Sequence, residues 1–466
     1  MAAAVIRSKA SAVFLGPEGV GMAAELQQVV TLTLVPLSAL SGPALMQALA
    51  DERAKGREPA AVAAALTWLM ALGLFLGIVA VLGGFLLLPD SWSDGLRPLL
   101  ALACVGATAT AAANVGIATL TFDGALNTTA RLQLLTSIAT AILVALSTAA
   151  FGLAGQFFAL AIAAALSVPF VFRAARSSQS WPARILKPDF DTGYLRRALV
   201  LGAASLIGSG ALQAALLSIR TRLDGVGGPH ANGQFQAAWA VGSLYLGMVL
   251  AGIGNFVFPR YAAAQNREQL QREMNSAAHF VMKLAPPIVL LAIAFADLAI
   301  RLMYSTRFDE AAEILRWQFA GDIAKCLSWV YAGPLLYRGR VRAFLVTELT
   351  ASAILSASTW LLADQLGIRA AGVGYFLSYM VYLPISAMVV WRSLEVKAQP
   401  RELLLVWLGT GIAIGLLFVP GNWLPRILAA SASLAWLLLS GGRDDLRVLA
   451  EQLRRKLSRQ ARQLDE

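Results

Sequence analysis

Long apolar segments recur along almost the whole chain, and they restrict the folds that it can adopt. Of its 466 residues, 58% are hydrophobic and 14% are charged. Many windows of about 18 residues or more contain few charges, as membrane spans do. A soluble helical protein with this pattern would have to bury nearly every helix on all of its faces. The sequence therefore predicts an all-α integral membrane protein.

The apolar segments predict about fourteen transmembrane helices. They cover residues 1–15, 21–48, 61–88, 98–120, 129–152, 155–173, 198–219, 232–258, 278–303, 313–337, 343–363, 369–391, 402–419 and 423–440. The first segment is too short to cross a bilayer, so we expect a first helix that is truncated at its start. A native chain that begins upstream of Met1 would explain this.

Lysine and arginine residues concentrate in alternate loops, and this bias predicts the orientation in the membrane. The basic set includes loops 49–60 and 173–197 and outnumbers the other set by about three to one. Because basic loops stay in the cytoplasm, we expect both termini to be cytoplasmic. The net charge of +11 is then a consequence of topology, and we do not expect binding to nucleic acid.

A short motif, GPxxxG, indicates an internal repeat. It occurs as Gly16-Pro17…Gly21 and as Gly228-Pro229…Gly233. In both places it opens a long apolar span that ends in a charged loop. The repeats run in the same direction, and such halves enclose a binding site near the middle of the membrane. The plainer interpretation is that GPxxxG is a common loop sequence.

The repeat predicts two lobes of six helices, followed by two extra C-terminal helices. The predicted parts are an N-lobe (1–174, helices 1–6), a cytoplasmic linker (175–197), a C-lobe (198–392, helices 7–12), helices 13 and 14 (393–440), and a basic amphipathic cytoplasmic tail (441–466). A basic amphipathic helix can lie on anionic membrane lipids. A solvated tail that only fixes the topology is an equal alternative.

The stretch WQFAGDIAK, Trp317–Lys325, places charges inside an apolar segment. On a helix, Gln318, Asp322, Lys325 and Trp329 fall within about 60° of one another. A charge at mid-membrane costs about 2.5–3.5 kcal/mol on insertion scales. This polar stripe is therefore predicted to face a wet cavity, although a structural pair that locks helix packing is the alternative.

Other polar residues in or at the ends of the predicted membrane helices include Lys9, Glu25, Gln28, Arg220, Gln234, Gln236 and Glu348. The cations Lys9, Arg220 and Lys325 suit an anionic ligand such as a diphosphate. Lys9 as an interfacial lysine and Arg220 as an interface anchor are the plainer alternatives.

The predicted site has two groups of residues. The candidate substrate residues are Lys9, Arg220, Gln318, Lys325 and Trp329, and the candidate proton- or ion-coupling residues are Asp322, Glu348 and Glu25.

Patterns for enzymatic chemistry are scarce in this sequence. There is no P-loop, no HExxH motif and no pair of carboxylates in a large predicted outside loop. The two cysteines, Cys104 and Cys326, both lie in apolar segments, which argues against a disulfide framework or a zinc site. We therefore predict no catalytic residues, no metal and no cofactor.

Three stretches resemble a known family. They are KASAVFLGPEGVG (Lys9–Gly21), FQAAWAVGSLYLGMVLAGIGNFVFPRYA (Phe235–Ala262) and RFDEAAEILRWQFAGDIAKCLSWV (Arg307–Val330), the last followed by TELTAS around Glu348. The chain resembles the Wzx-type flippases of O-antigen and related lipid-linked polysaccharides, within the superfamily of multidrug and polysaccharide exporters.

The resemblance implies a V-shaped fold of two lobes around a cationic cavity, with alternating access. It implies movement of undecaprenyl-diphosphate-linked oligosaccharide across the bacterial inner membrane. It also implies a polysaccharide polymerase and a chain-length regulator as candidate partners. The matching positions are Lys9, Arg220, Asp322, Lys325 and Glu348.

Two positions depart from the family pattern. Thr221 and Ser243 stand where family members often carry acidic residues. This departure puts the family's ion coupling in question for this chain. It also suggests that the transported sugar differs from that of family members with the acidic residues.

Alternatives to a flippase remain open on the sequence. A cation-coupled multidrug exporter would prefer a net acidic cavity, which the embedded cations disfavour. A membrane glycosyltransferase or polymerase would need a large outside loop with acidic residues. A structural scaffold would leave the paired buried charges unexplained.

Overall fold

A computed structural model describes residues 2–56, 60–87, 97–182, 188–421 and 423–440. All regular structure in these ranges is helical. The α-helices are α1 (Ala2–Ser41), α2 (Pro43–Ala54), α3 (Ala61–Leu87), α4 (Arg97–Phe122), α5 (Leu126–Ala175), α6 (Thr192–Ala263), α7 (Arg267–Ala294), α8 (Ala296–Met303), α9 (Ala311–Tyr337), α10 (Val341–Leu366), α11 (Arg369–Leu394), α12 (Pro400–Leu417) and α13 (Leu424–Leu439), and a 3-10 helix covers Thr306–Phe308.

Helix length and composition agree with an integral membrane protein. Within the described ranges, nine helices are long and apolar enough to cross a membrane. Helix α9 is not among them, because Gln318, Asp322 and Lys325 lower its apolar character. Its polar side chains are shielded by protein instead, since both Gln318 and Asp322 are buried.

Three long helices each contain a kink at a glycine with positive φ. These are Gly16 in α1 (φ 67°), Gly152 in α5 (φ 59°) and Gly228 in α6 (φ 64°). Only glycine adopts this conformation without steric cost. Gly16 and Gly228 lie between predicted spans, and Gly152 is the last residue of the predicted span 129–152. Thirteen α-helices are therefore assigned in the described chain, and the predicted count of fourteen spans is not confirmed.

The two GPxxxG motifs are kinked helix segments that pack against each other. A Cβ atom at Gly21 would overlap the carbonyl oxygen of Pro229, and one at Gly233 would overlap the carbonyl oxygen of Pro17. The contact is thus reciprocal, and it needs glycine on both sides. We call Gly16–Gly21 and Gly228–Gly233 together the glycine clasp. The backbone angles at Gly16 (67°, −175°) and Gly228 (64°, −166°) are closely alike.

The chain forms two compact units. Unit 1 comprises Met1–Ala237, Ile300–Ala311 and Thr359–Ala370, and unit 2 comprises Ala238–Ala299, Ala312–Ser358 and Ala371–Glu466. The lobe boundaries predicted from the sequence stay a prediction.

Each unit has its own interior. In unit 1, buried aliphatic side chains of α1 to α4, such as Leu26, Leu45, Leu69 and Val115, form one cluster. In unit 2, α13 is fixed to α7 by a hydrogen bond from Trp436 Nε1 to the carbonyl of Met282, at 3.0 Å. Burial of these apolar surfaces keeps each set of helices together.

Helix α7 begins earlier than predicted. The predicted span starts at residue 278, but the helix starts at Arg267, because the side chain of Asn266 caps it by accepting a hydrogen bond from Gln269 N at 2.8 Å. The first turns are polar and carry no apolar signal, so the helix extends beyond the predicted span. The predicted tail, 441–466, and residues 183–187 of the predicted linker lie outside the described residues.

Candidate functional site

The predicted site residues divide between the two units. Unit 1 contains Lys9, Glu25 and Arg220. Unit 2 contains the α9 residues Gln318, Asp322, Lys325 and Trp329, together with Glu348 on α10. The cavity that the sequence predicts between two lobes stays a prediction.

Arg220 on α6 is the largest fully buried side chain of the described residues, with 2% of its surface exposed. Its Nη2 atom donates a hydrogen bond to Gln236 Oε1. Its guanidinium also lies 5.2 Å from the centre of the Phe235 ring, an arrangement that favours a cation. The other two nitrogens, Nε and Nη1, have no hydrogen-bond partner among the described residues. Both nitrogens are buried, and each still carries hydrogen to donate.

Glu25 on α1 lies within electrostatic range of Arg220 and Asp224. Only 1% of the residue is exposed. One of its oxygens, Oε2, has no hydrogen-bond partner among the described residues. One helical turn further, Gln28 Nε2 donates to Gln213 Oε1 at 2.7 Å. Buried polar groups therefore line the contact between α1 and α6.

Lys9 makes a different contact from the one that the sequence suggests. Its Nζ atom donates to the backbone carbonyl of Arg301 at 2.9 Å. Gln234 also binds this segment, because its amide nitrogen donates to Arg307 O at 2.9 Å and its oxygen accepts from Ala311 N at 3.0 Å. Lys9 thus helps to fix the chain between α8 and α9 against α1 and α6. Its predicted role in binding substrate stays a prediction.

The polar stripe of α9 is packed inside unit 2. Gln318 and Asp322 are 3% and 1% exposed, while Lys325 and Trp329 are half-buried. Gln318 fits beside Gly242 of α6, where a Cβ atom would lie 3.1 Å from Gln318 Oε1. Trp329 packs on Phe258, with ring centres 4.7 Å apart.

Tyr375 on α11 joins the two charged residues of this stripe. Its hydroxyl donates to Asp322 Oδ1 at 2.6 Å and accepts from Lys325 Nζ at 3.1 Å. The ammonium group of Lys325 also lies 5.0 Å from the ring centre of Tyr375 and 4.4 Å from that of Tyr379. The predicted pair therefore exists, but a tyrosine mediates it.

Glu348 on α10 also receives a tyrosine hydroxyl. Tyr382 Oη donates to Glu348 Oε1 at 2.6 Å. Sequence reasoning missed Tyr375, Tyr379 and Tyr382 as site residues. Their spacing of four and three residues puts all three on one face of a helix, and that pattern was visible in the predicted span 369–391.

A third polar cluster lies outside the membrane spans, at the turn between α4 and α5. Asp123 accepts hydrogen bonds from Arg53 and from the side chains of Ser178 and Ser180. Burial opposes its ionisation, but these hydrogen bonds outweigh that effect and hold the pKa of Asp123 below its usual value. Arg53, Asp123 and Gln179 also line a small polar pocket. The cluster ties the start of the predicted linker to α2 and α4.

Comparison with known proteins agrees with the family resemblance inferred from the sequence. Residues 12–313 match the family described as "Polysaccharide biosynthesis protein". The lipid III flippases of Escherichia coli (strain K12) and Shigella flexneri are each 23% identical over 213 residues, which is 45% of this chain and 51% of each relative. The chain thus matches about half the length of these curated relatives.

Solved structures have the same fold. An inward-facing multidrug resistance MATE family transporter of the MOP superfamily superposes with a TM-score of 0.74 at 17% identity, covering 84% of this chain and 94% of that chain. The lipid II flippase MurJ in an inward closed conformation gives a TM-score of 0.71 at 10% identity, covering 96% and 97%. The resemblance inferred from the sequence is confirmed at this level. The chain belongs to the polysaccharide biosynthesis protein family and has the fold of MOP-superfamily transporters.

Proposed function

We propose that this protein is a flippase for an undecaprenyl-diphosphate-linked oligosaccharide, an O-antigen unit or a related surface polysaccharide. The observation that carries the proposal is the buried guanidinium of Arg220, two of whose nitrogens have no partner among the described residues. Glu25 lies within electrostatic range of this cation, but a buried donor without a hydrogen-bond acceptor is still costly. In a member of a polysaccharide biosynthesis family, a lipid-linked diphosphate is the anion that fits this group.

The side chains have distinct proposed roles. The substrate group comprises Lys9, Arg220, Gln318, Lys325 and Trp329, and the coupling group comprises Asp322, Glu348 and Glu25. Arginine binds phosphate oxygens through two parallel hydrogen bonds, whereas lysine acts as a point charge. The carboxylates, buried near cations, are suited to exchange protons or to bind cations during transport.

The proposed transport cycle is alternating access between two lobes of six helices, with fourteen spans in all. It takes place in the bacterial inner membrane with both termini in the cytoplasm. The matching kinks at Gly16 and Gly228 support an internal repeat, on which the two proposed lobes depend. A polysaccharide polymerase and a chain-length regulator are proposed partners, since they use the translocated product.

The proposal is tested by complementing a bacterial strain that lacks its own flippase and makes a defined surface polysaccharide. We expect the wild-type chain to restore the polysaccharide, and Arg220→Ala, Lys325→Ala and Asp322→Ala to fail at equal membrane abundance. Wild-type levels of polysaccharide from all three variants would reject the site assignment. No polysaccharide from the wild-type chain, tested against several repeat units, would reject the function.

A second candidate is a cation-coupled multidrug exporter. The fold similarity to a multidrug resistance transporter favours it, as do the buried acidic residues Glu25 and Asp322. The embedded cations disfavour it, because they repel cationic drugs. Drug resistance on expression, together with failed complementation, would identify this function.

A further inference from the structure

Three tyrosines form a ladder along one face of α11. Tyr375 and Tyr379 have ring centres 4.8 Å apart, and those of Tyr379 and Tyr382 are 5.9 Å apart. The two end members are nearly fully buried, with 4% of Tyr375 and 3% of Tyr382 exposed. Trp239 of α6 packs edge-on against Tyr375 at 6.1 Å. The rings are therefore held in place by packing on both sides.

The hydroxyl of Tyr375 has a defined hydrogen-bond direction. A phenol has one hydrogen to donate and lone pairs to accept. Because the carboxylate of Asp322 can only accept and the ammonium of Lys325 can only donate, the bonds run from Lys325 through Tyr375 to Asp322. One hydroxyl thus sets the orientation of both charged groups.

The aromatic rings hold the same ammonium from a second direction. Lys325 Nζ lies over the rings of Tyr375 and Tyr379, and cation–π attraction is strongest where water is excluded. The long side chain of lysine otherwise has many rotamers. The two rings and the Tyr375 hydroxyl form a cage around Lys325, and this cage confines its ammonium group to one position in unit 2.

We propose that Tyr375 is a positioning residue for the lipid-linked diphosphate. Its hydroxyl holds Lys325 in a fixed place and keeps Asp322 as the counterion, so that the ammonium presents its charge to the phosphate in one geometry. This inference rests on the proposed flippase function. It adds a residue that acts on the substrate only through Lys325.

The test uses Tyr375→Phe, because this change removes the hydroxyl and keeps the ring. The full-length protein is reconstituted into lipid nanodiscs, and its dissociation constant is measured for undecaprenyl diphosphate. Undecaprenol, which carries no charge, serves as the reference lipid. Since a hydrogen bond to a charged group is lost, we expect binding of the diphosphate to weaken about tenfold. Binding of undecaprenol should not change.

A matched control is Tyr261→Phe. Tyr261 is also a fully buried tyrosine of unit 2, but its hydroxyl donates to the backbone carbonyl of Val330 at 3.2 Å. We expect this variant to bind the diphosphate as the wild type does. Equal weakening in both variants would mean a general loss of packing and would overturn the proposal.

A double variant separates positioning from direct contact. If Tyr375 acts through Lys325, then Tyr375→Phe should weaken binding no further in a Lys325→Ala background. If the double variant loses affinity by the product of the two single losses, the inference is overturned. Wild-type affinity of Tyr375→Phe for the diphosphate would overturn it as well. If the wild-type protein itself does not bind undecaprenyl diphosphate more tightly than undecaprenol, the proposed function is rejected, and the inference is rejected with it.

Discussion

The buried Arg220 of unit 1 and the half-buried Lys325 of unit 2 have different surroundings. Arg220 has one amide partner and one aromatic ring, and two of its nitrogens have no partner among the described residues. Lys325 lies in a cage of two tyrosines, one of which also binds Asp322. Arg220 therefore has hydrogen-bond donors left for a further acceptor, whereas Lys325 is held by its neighbours.

This difference suggests a division of labour for the proposed transport. A guanidinium with spare donors can form a strong paired contact to a phosphate. A caged ammonium gives a fixed field but fewer new hydrogen bonds. The four changes below test Arg220, the glycine clasp, the tyrosine ladder and a reference site outside the spans, and the first two are each compared with a control variant in unit 1.

The largest effect is expected from Arg220→Leu. This change leaves Glu25 buried without its nearby cation, and an uncompensated buried charge costs about 3–5 kcal/mol. We expect a lower melting temperature in detergent and no complementation. Arg222→Leu is the control, since the half-buried Arg222 pairs with Asp364, whose side chain is 74% exposed, and a pair that water reaches on one side contributes little. Equal losses in the two variants would contradict a special role for Arg220.

The glycine clasp provides the next largest effect. In Gly21→Ala the added methyl group collides with the carbonyl of Pro229, so α1 and α6 must separate. Overpacking of this kind costs about 1–3 kcal/mol. We expect impaired transport and a lower melting temperature. Gly225→Ala is the control on α6, because a Cβ atom there meets nothing within 4 Å. Normal transport by Gly21→Ala would show that the close contact is dispensable.

A smaller effect is expected at the far end of the tyrosine ladder. Tyr382→Phe removes the hydrogen bond to Glu348 and leaves the ring in place. Loss of one such bond costs about 1 kcal/mol, which for a chain of 466 residues lowers the melting temperature by about 1 °C. Thermal unfolding followed by intrinsic fluorescence measures this change. An unchanged melting temperature would mean that Glu348 finds another donor.

The smallest effect is expected at Asp123, which serves as a reference outside the spans. Because the pKa of this carboxyl is lower in the folded protein than in the unfolded chain, its ionised form stabilises the fold above the unfolded pKa of about 4. That contribution is lost as the pH falls through the folded pKa. The wild type should therefore melt at a higher temperature than Asp123→Asn at neutral pH. The two melting temperatures should converge as the pH falls below about 4. A difference that persists in acid would contradict this account.

Much of the fold follows from the sequence, because apolar length and glycine breaks are local signals. The kinks at Gly16 and Gly228 lie where the GPxxxG motifs predict breaks. Their mutual contact was not predictable, since it joins segments more than 200 residues apart (16 and 228). Charges in apolar segments revealed Asp322 and Lys325. Tyr375 escaped notice because tyrosine is ordinary in a membrane span, and only the structure brings its hydroxyl between them.

The most direct test of the central claim is a measurement of flipping by the purified protein. The full-length chain is reconstituted into liposomes, and the movement of an undecaprenyl-diphosphate-linked oligosaccharide between leaflets is followed with a glycan-modifying enzyme added outside. We predict that the wild-type protein makes the inner-leaflet pool accessible, and that Arg220→Leu leaves it protected. Protection that is the same with wild-type protein, with Arg220→Leu and with empty liposomes would contradict the account.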